Sequence, residues 1–305
     1  MSADPTHTLA DLDAWSFPGT ALAVLGHPIK HSVSPAMHNA ALAAMARAKK
    51  DYLAWKYFRF DVPPADLPSA LVRLHAAGFH GLNLTVPHKV LAFDLVEEID
   101  DSAKRIGAVN TLRRTATGWK GFNTDGYGLA AALRADLGVS LTNACVIVLG
   151  AGGAARAAAV ECLQRLCAEL WIGNRTAATR QALLDELPFG RIDRQGFDPA
   201  QLPADLPENA IVINATSLGL KADDPAPIAL HRLPPGAKVY DMIYNPPQTA
   251  LLREAAALGL PHANGLSMLV HQGAKSLEVW TGESAQTNAP VMQAAATAAL
   301  AASSS

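Results

Sequence analysis

The stretch Ala144-Cys145-Val146-Ile147-Val148-Leu149-Gly150-Ala151-Gly152-Gly153-Ala154-Ala155-Arg156 restricts the fold more than any other part of the chain. Its apolar run reads as a buried strand, its glycines as a tight turn, and its alanines as the opening of a helix. A strand that passes straight into a glycine turn and a helix belongs to a parallel sheet covered by helices, because parallel strands need a long crossover. The turn also carries chemistry. Free helix N–H groups and the positive end of the helix dipole meet there, which suits a pyrophosphate. Gly150 would make the turn and Gly152 would let the backbone approach the phosphates. Ala155 takes the third place, where only close helix packing is required. Gly150, Ala151, Gly152, Gly153 and Ala154 are therefore candidate cofactor-binding residues, with a turn used only for packing as the alternative.

Further strands are expected at 169–172, 210–214 and 238–241, separated by helices or proline-rich loops as a doubly wound sheet needs. An NAD enzyme would offer a carboxylate to the adenosine ribose about twenty residues past the turn. Here the second strand ends in Asn174-Arg175-Thr176. Arg175 can stack on adenine and, with Asn174 and Thr176, hold a 2′-phosphate, which argues for NADP as the cofactor. An ordinary helix cap is the other reading of these three residues.

Before the turn lies a second α/β pattern. Residues 21–25 form an apolar strand that opens at Gly26-His27-Pro28 into a loop, and Pro35 starts a helix that runs to about Lys49. Residues 52–60 alternate like a strand, 66–77 have helical spacing, and 81–86 form another strand. This alternation implies a parallel sheet in a separate domain. Gly118 and Gly121 flank a hairpin-like turn, a helix is expected at 126–137, and 265–280 and 289–302 read as helices before a serine tail. Residues 1–17 read as a short tail or helix.

With 305 residues, half of them apolar, the chain can build two cores without disulfide or metal staples. Lys and Arg total 25 against 27 Asp and Glu, with no long run of either sign, so a nucleic-acid partner is not expected and the substrate is small. Cys145, Cys162 and Cys167 form no C-x-x-C pair and fit a reducing, cytoplasmic setting. The N-terminus has no basic region leading into an apolar core, so no secretory signal is expected. The longest apolar stretch, 144–163, is broken by glycines, Arg156 and Glu161, which argues against a membrane span. His27 and His31 are separated by Pro28 and lie on no His-Glu-x-x-His helix, so no metal is expected.

Four blocks in the first half carry the remaining chemistry. They are Gly26-His27-Pro28-Ile29-Lys30-His31-Ser32-Val33-Ser34-Pro35-Ala36-Met37-His38-Asn39, Gly81-Leu82-Asn83-Leu84-Thr85-Val86-Pro87-His88-Lys89, Gly107-Ala108-Val109-Asn110-Thr111, and Gly121-Phe122-Asn123-Thr124-Asp125-Gly126. In this order, and followed by the glycine turn, they resemble the shikimate dehydrogenase family from about Ala21 to the C-terminal helix.

The resemblance implies an α/β protein of two domains. A substrate-binding domain of residues 1–125 plus 265–305 would accompany a Rossmann-like, doubly wound NADP-binding domain of residues 126–264, with the C-terminal helices returning to the first. The activity implied is the reversible, NADPH-dependent reduction of 3-dehydroshikimate to shikimate in aromatic amino acid biosynthesis. Hydride delivery to a ring ketone leaves charge on oxygen, so a proton donor must stand within hydrogen-bond reach. In the family that donor is the lysine matching Lys89, with the aspartate matching Asp125 as its partner; burial against an opposed charge can set a usable pKa. His88 is a second acid by chemistry, yet the family pattern is not histidine-specific there. Ser32 and Ser34 match the carboxylate-binding hydroxyls, assisted by a tyrosine matching Tyr244, and two serines favour shikimate over quinate. Thr85, Asn110 and Gln272, with Asn83, match positions that hold the ring hydroxyls. Thr216, Met242 and Gly265 are expected to line the cofactor groove. Thr179 stands where NADP forms of the family often carry a second base, and Arg180 follows it.

Two other readings remain. A quinate/shikimate dehydrogenase or aminoshikimate relative using NAD(P) would differ in its contacts and not in its fold. A cofactor-sensing regulator would have kept the nucleotide fold and lost the chemistry, although it would have no need of both Lys89 and Asp125. The expected partner is a small molecule, and the chain is a monomer or a homodimer.

Overall fold

The computed structural model describes residues 5–188 and 192–303. The part of the serine tail beyond Ser303, and the first four residues of the N-terminal segment, lie outside the described residues. In chain order the elements are β1 (Thr20–Gly26), α1 (Ser34–Ala48), β2 (Trp55–Asp61), α2 (Leu67–Ala76), β3 (Gly81–Leu84), α3 (His88–Leu91), β4 (Glu98–Ile99), α4 (Asp101–Ile106), β5 (Thr111–Arg114), β6 (Trp119–Phe122) and α5 (Asp125–Leu137). They continue with β7 (Cys145–Leu149), α6 (Gly153–Gln164), β8 (Glu169–Gly173), α7 (Ala177–Glu186), β9 (Asp193–Phe197), β10 (Ile211–Asn214), β11 (Lys238–Asp241), α8 (Ala250–Ala257), β12 (His262–Asn264), α9 (Leu266–Thr281) and α10 (Ala285–Ser303). The chain divides into two compact units, Met1–Thr124 with Val270–Ser305, and Asp125–Leu269.

The first unit holds a six-stranded sheet in the order β2-β1-β3-β5-β6-β4. β1 pairs in parallel with β2 and with β3, as the alternating pattern implies, and its residues after Thr20 are all buried. The sheet is nevertheless mixed. β5 runs antiparallel to both β3 and β6, because the short turn around Gly118 returns the chain as a hairpin and leaves no length for a helical crossover. Gly121 lies inside β6 and not in the turn; a Cβ there would meet Val109 at 2.6 Å. Phe60, Leu67, Leu74, Phe79, Leu82 and Trp119 form much of the core. The N-terminal segment contributes to it. His7 bridges to Phe60, a 3-10 helix spans Leu9–Ala14, and Leu9, Leu12, Trp15 and Phe17 pack against the core. The C-terminal helices belong to this unit, with α10 packed along α1. α10 begins at Ala285, ahead of the expected 289, and passes through Pro290.

The second unit holds six strands in the order β12-β11-β10-β7-β8-β9, all parallel. β7, β8, β10 and β11 fall where the apolar runs predict them. β9 (Asp-Arg-Gln-Gly-Phe) and β12 (His-Ala-Asn) escape sequence patterning because they are polar edge strands, the usual composition where a sheet must not invite another chain. The first sheet ends in the same way at the two-residue β4. In α6 the residues Ala157–Leu163 are all buried, and Ala155 has no exposure, so the helix lies tight on the sheet as the third place of the glycine turn requires. Among the described residues no helix is long and apolar enough to cross a membrane.

One buried group makes the first unit sensitive to acid. His38 on α1 is fully buried and stacks on Tyr57, with ring centroids 4.1 Å apart and planes 1° from parallel. Burial pulls its imidazole down from the ordinary 6.5 to about 3. Because the folded pKa is depressed, the unfolded chain takes up the proton first; the stability is complete above pH 6.5 and is lost as pH falls toward 3. Between pH 7 and pH 5 the native protein should therefore lose about 2 kcal/mol more unfolding free energy than His38→Phe. Urea titrations at the two pH values test this, and equal losses would refute it.

Candidate active site

Each sheet has one place where neighbouring parallel strands send their connections to opposite sides, and ligands bind at such a switch point beyond the strands' carboxyl ends. In the first sheet it lies between β1 and β3, since β1 leads through α1 to β2 on its other side. The loop after β1 carries Ser32 and Ser34, and the turn after β3 carries Thr85 and Lys89. The peptide bonds His27–Pro28 and Val86–Pro87 in these segments are cis.

Ser34 is the first residue of α1 and is buried, and its N–H donates to Ser32 Oγ at 3.3 Å. Two serines thus stand at the positive end of a fifteen-residue helix, an arrangement that can receive an anion without an arginine in the loop. Thr85 is half-buried; its N–H donates to Leu25 O at 3.0 Å, and its carbonyl accepts from His88 N at 2.8 Å. Lys89 follows in α3, and its carbonyl accepts from Val109 N at 2.9 Å, which ties the turn to the segment ahead of Asn110. His88 is turned inward. Its ring is fully buried with Nε2 2.8 Å from Val62 O, and burial holds its pKa below the ordinary value.

Asn110 is buried and crowded with partners. Its Nδ2 donates to Thr124 Oγ1 at 3.0 Å and to Gln272 Oε1 at 3.3 Å, and its Oδ1 accepts from Thr124 N at 2.9 Å. Asn83 is also buried, within β3. Its Nδ2 lies 3.1, 3.0 and 2.9 Å from Asn110 O, Thr111 Oγ1 and Ser276 Oγ, and its Oδ1 accepts from Tyr57 Oη at 2.8 Å. The structure therefore brings Asn83, Asn110 and Gln272 into one hydrogen-bonded group with Thr111, Thr124 and Ser276. The last three were not singled out by sequence, although Thr111 and Thr124 lie inside quoted blocks; Ser276, one helical turn after Gln272, was the readable signal. Asp125 opens α5 and belongs to the second unit, where it is buried at 9% exposure.

The switch point of the second sheet lies between β7 and β10. Gly150, just after β7, has φ of +110°, which strains any side chain, and a Cβ there would lie 3.1 Å from Ala215 O. Gly152 and Gly153 face open space, and the N-cap of α6 at Gly152 makes no side-chain cap bond. Ala151 is half-buried and Ala154 exposed. Beyond β10, Thr216 donates through N and Oγ1 to Asn214 Oδ1 at 3.0 and 2.7 Å, and Asn214 Nδ2 donates to Asp241 Oδ1 at 3.0 Å. Asp241 is fully buried and also accepts from Thr249 Oγ1 at 2.6 Å; burial pushes its carboxyl above the usual range. Met242 is half-buried, its N–H bonded to Asn214 O, and a Cβ on Gly265 would overlap the Met242 carbonyl. Tyr244, also half-buried, has its phenol pushed up by burial.

At the end of β8, Arg175 and Thr176 are exposed, and Asn174 Nδ2 donates to Thr176 O at 3.1 Å. Thr176 occupies the N-cap position of α7 without a side-chain cap bond. Arg180 is turned back, its Nη1 donating to Asn174 O. His27 Nδ1 lies 2.7 Å from Asp61 Oδ1. Among the described residues no group of three His, Cys, Asp or Glu is arranged to hold a metal ion.

Comparison with known proteins agrees with this geometry. Residues 24–112 match the model of the shikimate dehydrogenase substrate binding domain, and residues 265–296 match that of the shikimate 5′-dehydrogenase C-terminal domain. A shikimate dehydrogenase (NADP(+)) of Symbiobacterium thermophilum is 40% identical over 289 residues, covering 93% of this chain and 95% of its own. The chain belongs to the shikimate dehydrogenase family. The shikimate 5-dehydrogenase of Thermus thermophilus, solved in complex with NADP(H) and shikimate, superposes with a TM-score of 0.79 at 36% identity over 92% of this chain and 99% of its own. The ligand-free 5-ketofructose reductase of Gluconobacter sp. strain CHM43 superposes equally well, at 0.79 and 32% identity over 91% of this chain and 99% of its own.

The hydroxyl of Ser276 is the hub of the group beneath Asn110. It lies 2.7 Å from Thr111 Oγ1 and 3.2 Å from Thr124 Oγ1, and donates to Gln272 O at 3.0 Å. Ser276→Ala should lower the unfolding free energy by about 1–3 kcal/mol, the cost of leaving buried partners short of a bond. Denaturant titration reads this directly; a change under about 0.5 kcal/mol, the size of a neutral surface substitution, would show that the hub is dispensable.

Proposed function

We propose that the chain is an NADP-dependent shikimate dehydrogenase, catalysing 3-dehydroshikimate + NADPH + H⁺ ⇌ shikimate + NADP⁺. The observation that carries this reading is that Ser32, Ser34, Thr85 and Lys89 flank one switch point of the first sheet, while Lys89 is tied through Val109 to the segment that presents Asn110, whose amide in turn donates to Gln272 on α9. The set matches one carboxylate, several hydroxyls and one ketone, which is the inventory of a hydroxylated ring acid.

The residues of the second unit fit the cofactor. Gly152 and Gly153 are open where a side chain would obstruct a pyrophosphate, and the uncapped N-terminus of α6 supplies donors for it. Gly150, Ala151, Gly152, Gly153 and Ala154 would cradle the phosphates, Asn174, Arg175 and Thr176 the adenosine 2′-phosphate, and Thr216, Met242 and Gly265 the nicotinamide end. NADPH supplies the hydride when bound. Lys89 gives the proton to the ketone oxygen and takes it back in the reverse direction, with Asp125 as its charge partner. Ser32 and Ser34, with Tyr244, hold the carboxylate. Thr85, Asn110 and Gln272 hold ring hydroxyls, while Asn83, its amide occupied by four protein groups, acts through its bond to the Asn110 carbonyl.

In this reading residues 1–125 with 265–305 form the substrate-binding domain and residues 126–264 the NADP-binding domain. The enzyme acts on small molecules as a monomer or homodimer, and its three free thiols fit the cytoplasm. One observation favours a second reading, a relative of broader cofactor use. Arg180 is committed to the Asn174 carbonyl, which leaves Arg175 as the exposed base at the end of β8.

Initial rates with shikimate and with quinate, each with NADP⁺ and with NAD⁺, separate the readings. Turnover mainly with shikimate and NADP⁺ is expected; comparable turnover with quinate or NAD⁺ would favour the second reading, and tight NADPH binding without turnover a sensor. Lys89→Ala should lower kcat by about two to four orders of magnitude with a smaller change in KM, the share of a general acid. An unaltered kcat in the folded variant would remove the mechanism.

A further inference from the structure

Arg59 lies on β2 and is 7% exposed, an uncommon place for a cation unless its donors are employed. Its Nη1 donates to the main-chain carbonyl of Ser32 at 3.1 Å, and its Nε donates to Thr6 Oγ1 at 2.9 Å. The guanidinium is a rigid planar fork, so two bonds from one fork fix two chain segments relative to each other. Ser32 is thereby held at both ends of its backbone: its N–H donates to Ile29 O at 3.0 Å within the loop, and its carbonyl is held from β2. Its hydroxyl accepts from Ser34 N, so the orientation of Ser32 sets the geometry of the hydroxyl pair. The N-terminal segment in turn fixes β2 at this point. His7 N donates to Arg59 O at 2.8 Å, and Asp61 N donates to His7 O at 2.8 Å. The matched substrate-domain model begins at residue 24, so Thr6 and His7 lie outside it.

We infer that Arg59 is a positioning residue for the anion-binding loop, aiming Ser32 through its carbonyl and taking its own orientation from Thr6, so that the N-terminal segment serves substrate affinity. The inference rests on the reading of Ser32 and Ser34 as the carboxylate site. Displacement of one hydroxyl by a fraction of an ångström weakens the grip on an anion that both must reach together. The defect therefore belongs in KM for the substrate acid and not in the cofactor constants.

The test compares Arg59→Met, Arg59→Lys and Thr6→Val with the unsubstituted protein, measuring kcat and KM for shikimate at saturating NADP⁺, KM for NADP⁺, and Tm. Arg59→Met should raise KM for shikimate about tenfold, the scale of a lost charge-assisted hydrogen bond, and leave KM for NADP⁺ within about twofold. Arg59→Lys should recover part of the loss, and Thr6→Val should raise KM by about threefold, the scale of one neutral hydrogen bond. A merely structural role would lower Tm and the active fraction, reducing kcat without moving the ratio of the two KM values. An unchanged KM for shikimate in Arg59→Met, or an equal rise in both KM values, overturns the inference. Should Arg59→Met fail to fold, Thr6→Val decides, because it keeps the guanidinium and removes one acceptor; an unchanged KM there overturns the proposal. If the unsubstituted protein does not oxidise shikimate at all, the functional reading falls and this inference with it. Turnover with unmoved KM in the variants removes the inference alone.

Discussion

Parallel pairing of strands is the constraint on which the rest depends. Two parallel neighbours cannot be joined by a tight turn, so every such pair sends the chain out at its carboxyl end and back across a face. Where the crossings diverge, between β1 and β3 and again between β7 and β10, the carboxyl ends are left uncovered and loops fill the gap. The chain places its unusual residues there: two serines, a lysine and a threonine at one point, and a glycine turn at the other. The antiparallel hairpin of β5 and β6 extends the first sheet and delivers Asn110 and Thr124, which flank it, to the same end.

Both sheets secure these ends in the same physical way. A buried asparagine at the end of a central strand, Asn83 in one and Asn214 in the other, is surrounded by hydroxyls and backbone groups that occupy its amide. A neutral amide offers donors and an acceptor without the desolvation cost of a charge. Once its bonds are made, it holds loops more rigidly than apolar packing would, because an unpaired member is costly in a dry interior. The same economy of charge marks the loop between β1 and α1, where Ser32 and Ser34 stand at a helix end and the guanidinium of Arg59 is engaged by the Ser32 carbonyl.

How much of this was legible in the sequence depends on the range of the interaction. Strands such as β7 and β10 announce themselves by apolar runs, and the glycine turn by its spacing, because those patterns are local. The chemistry-bearing residues were legible as types within short blocks. Their supports were not. Thr111, Ser276, Tyr57 and Arg59 converge on Asn83 and Ser32 from positions far apart in the chain, and that convergence is created by the pairing of β1 with β2 and β3, by the pairing of β3 with β5, and by the return of α9 to the first unit. The polar edges β9 and β12 were hidden for the opposite reason, since a strand composed to discourage pairing does not read as one. The N-terminal segment reads as a short tail or helix with no sign of burial, because its apolar residues are scattered, yet Leu9, Leu12, Trp15 and Phe17 all pack against the core.

The distribution of indole rings has a practical consequence. Of the five tryptophans, Trp15, Trp55, Trp119 and Trp280 belong to the first unit, and Trp171 on β8 is alone in the second. Its ring is buried at 2% exposure, with Nε1 3.1 Å from Glu169 Oε2, and its strand ends beside Asn174 and Arg175. The nucleotide-fold half of the molecule thus carries one indole, in a dry setting, and replacing Trp171 by phenylalanine would leave a tryptophan emission, excited selectively beyond the tyrosine absorption, that belongs wholly to the other half. The fluorescence of this protein is in effect already labelled by domain.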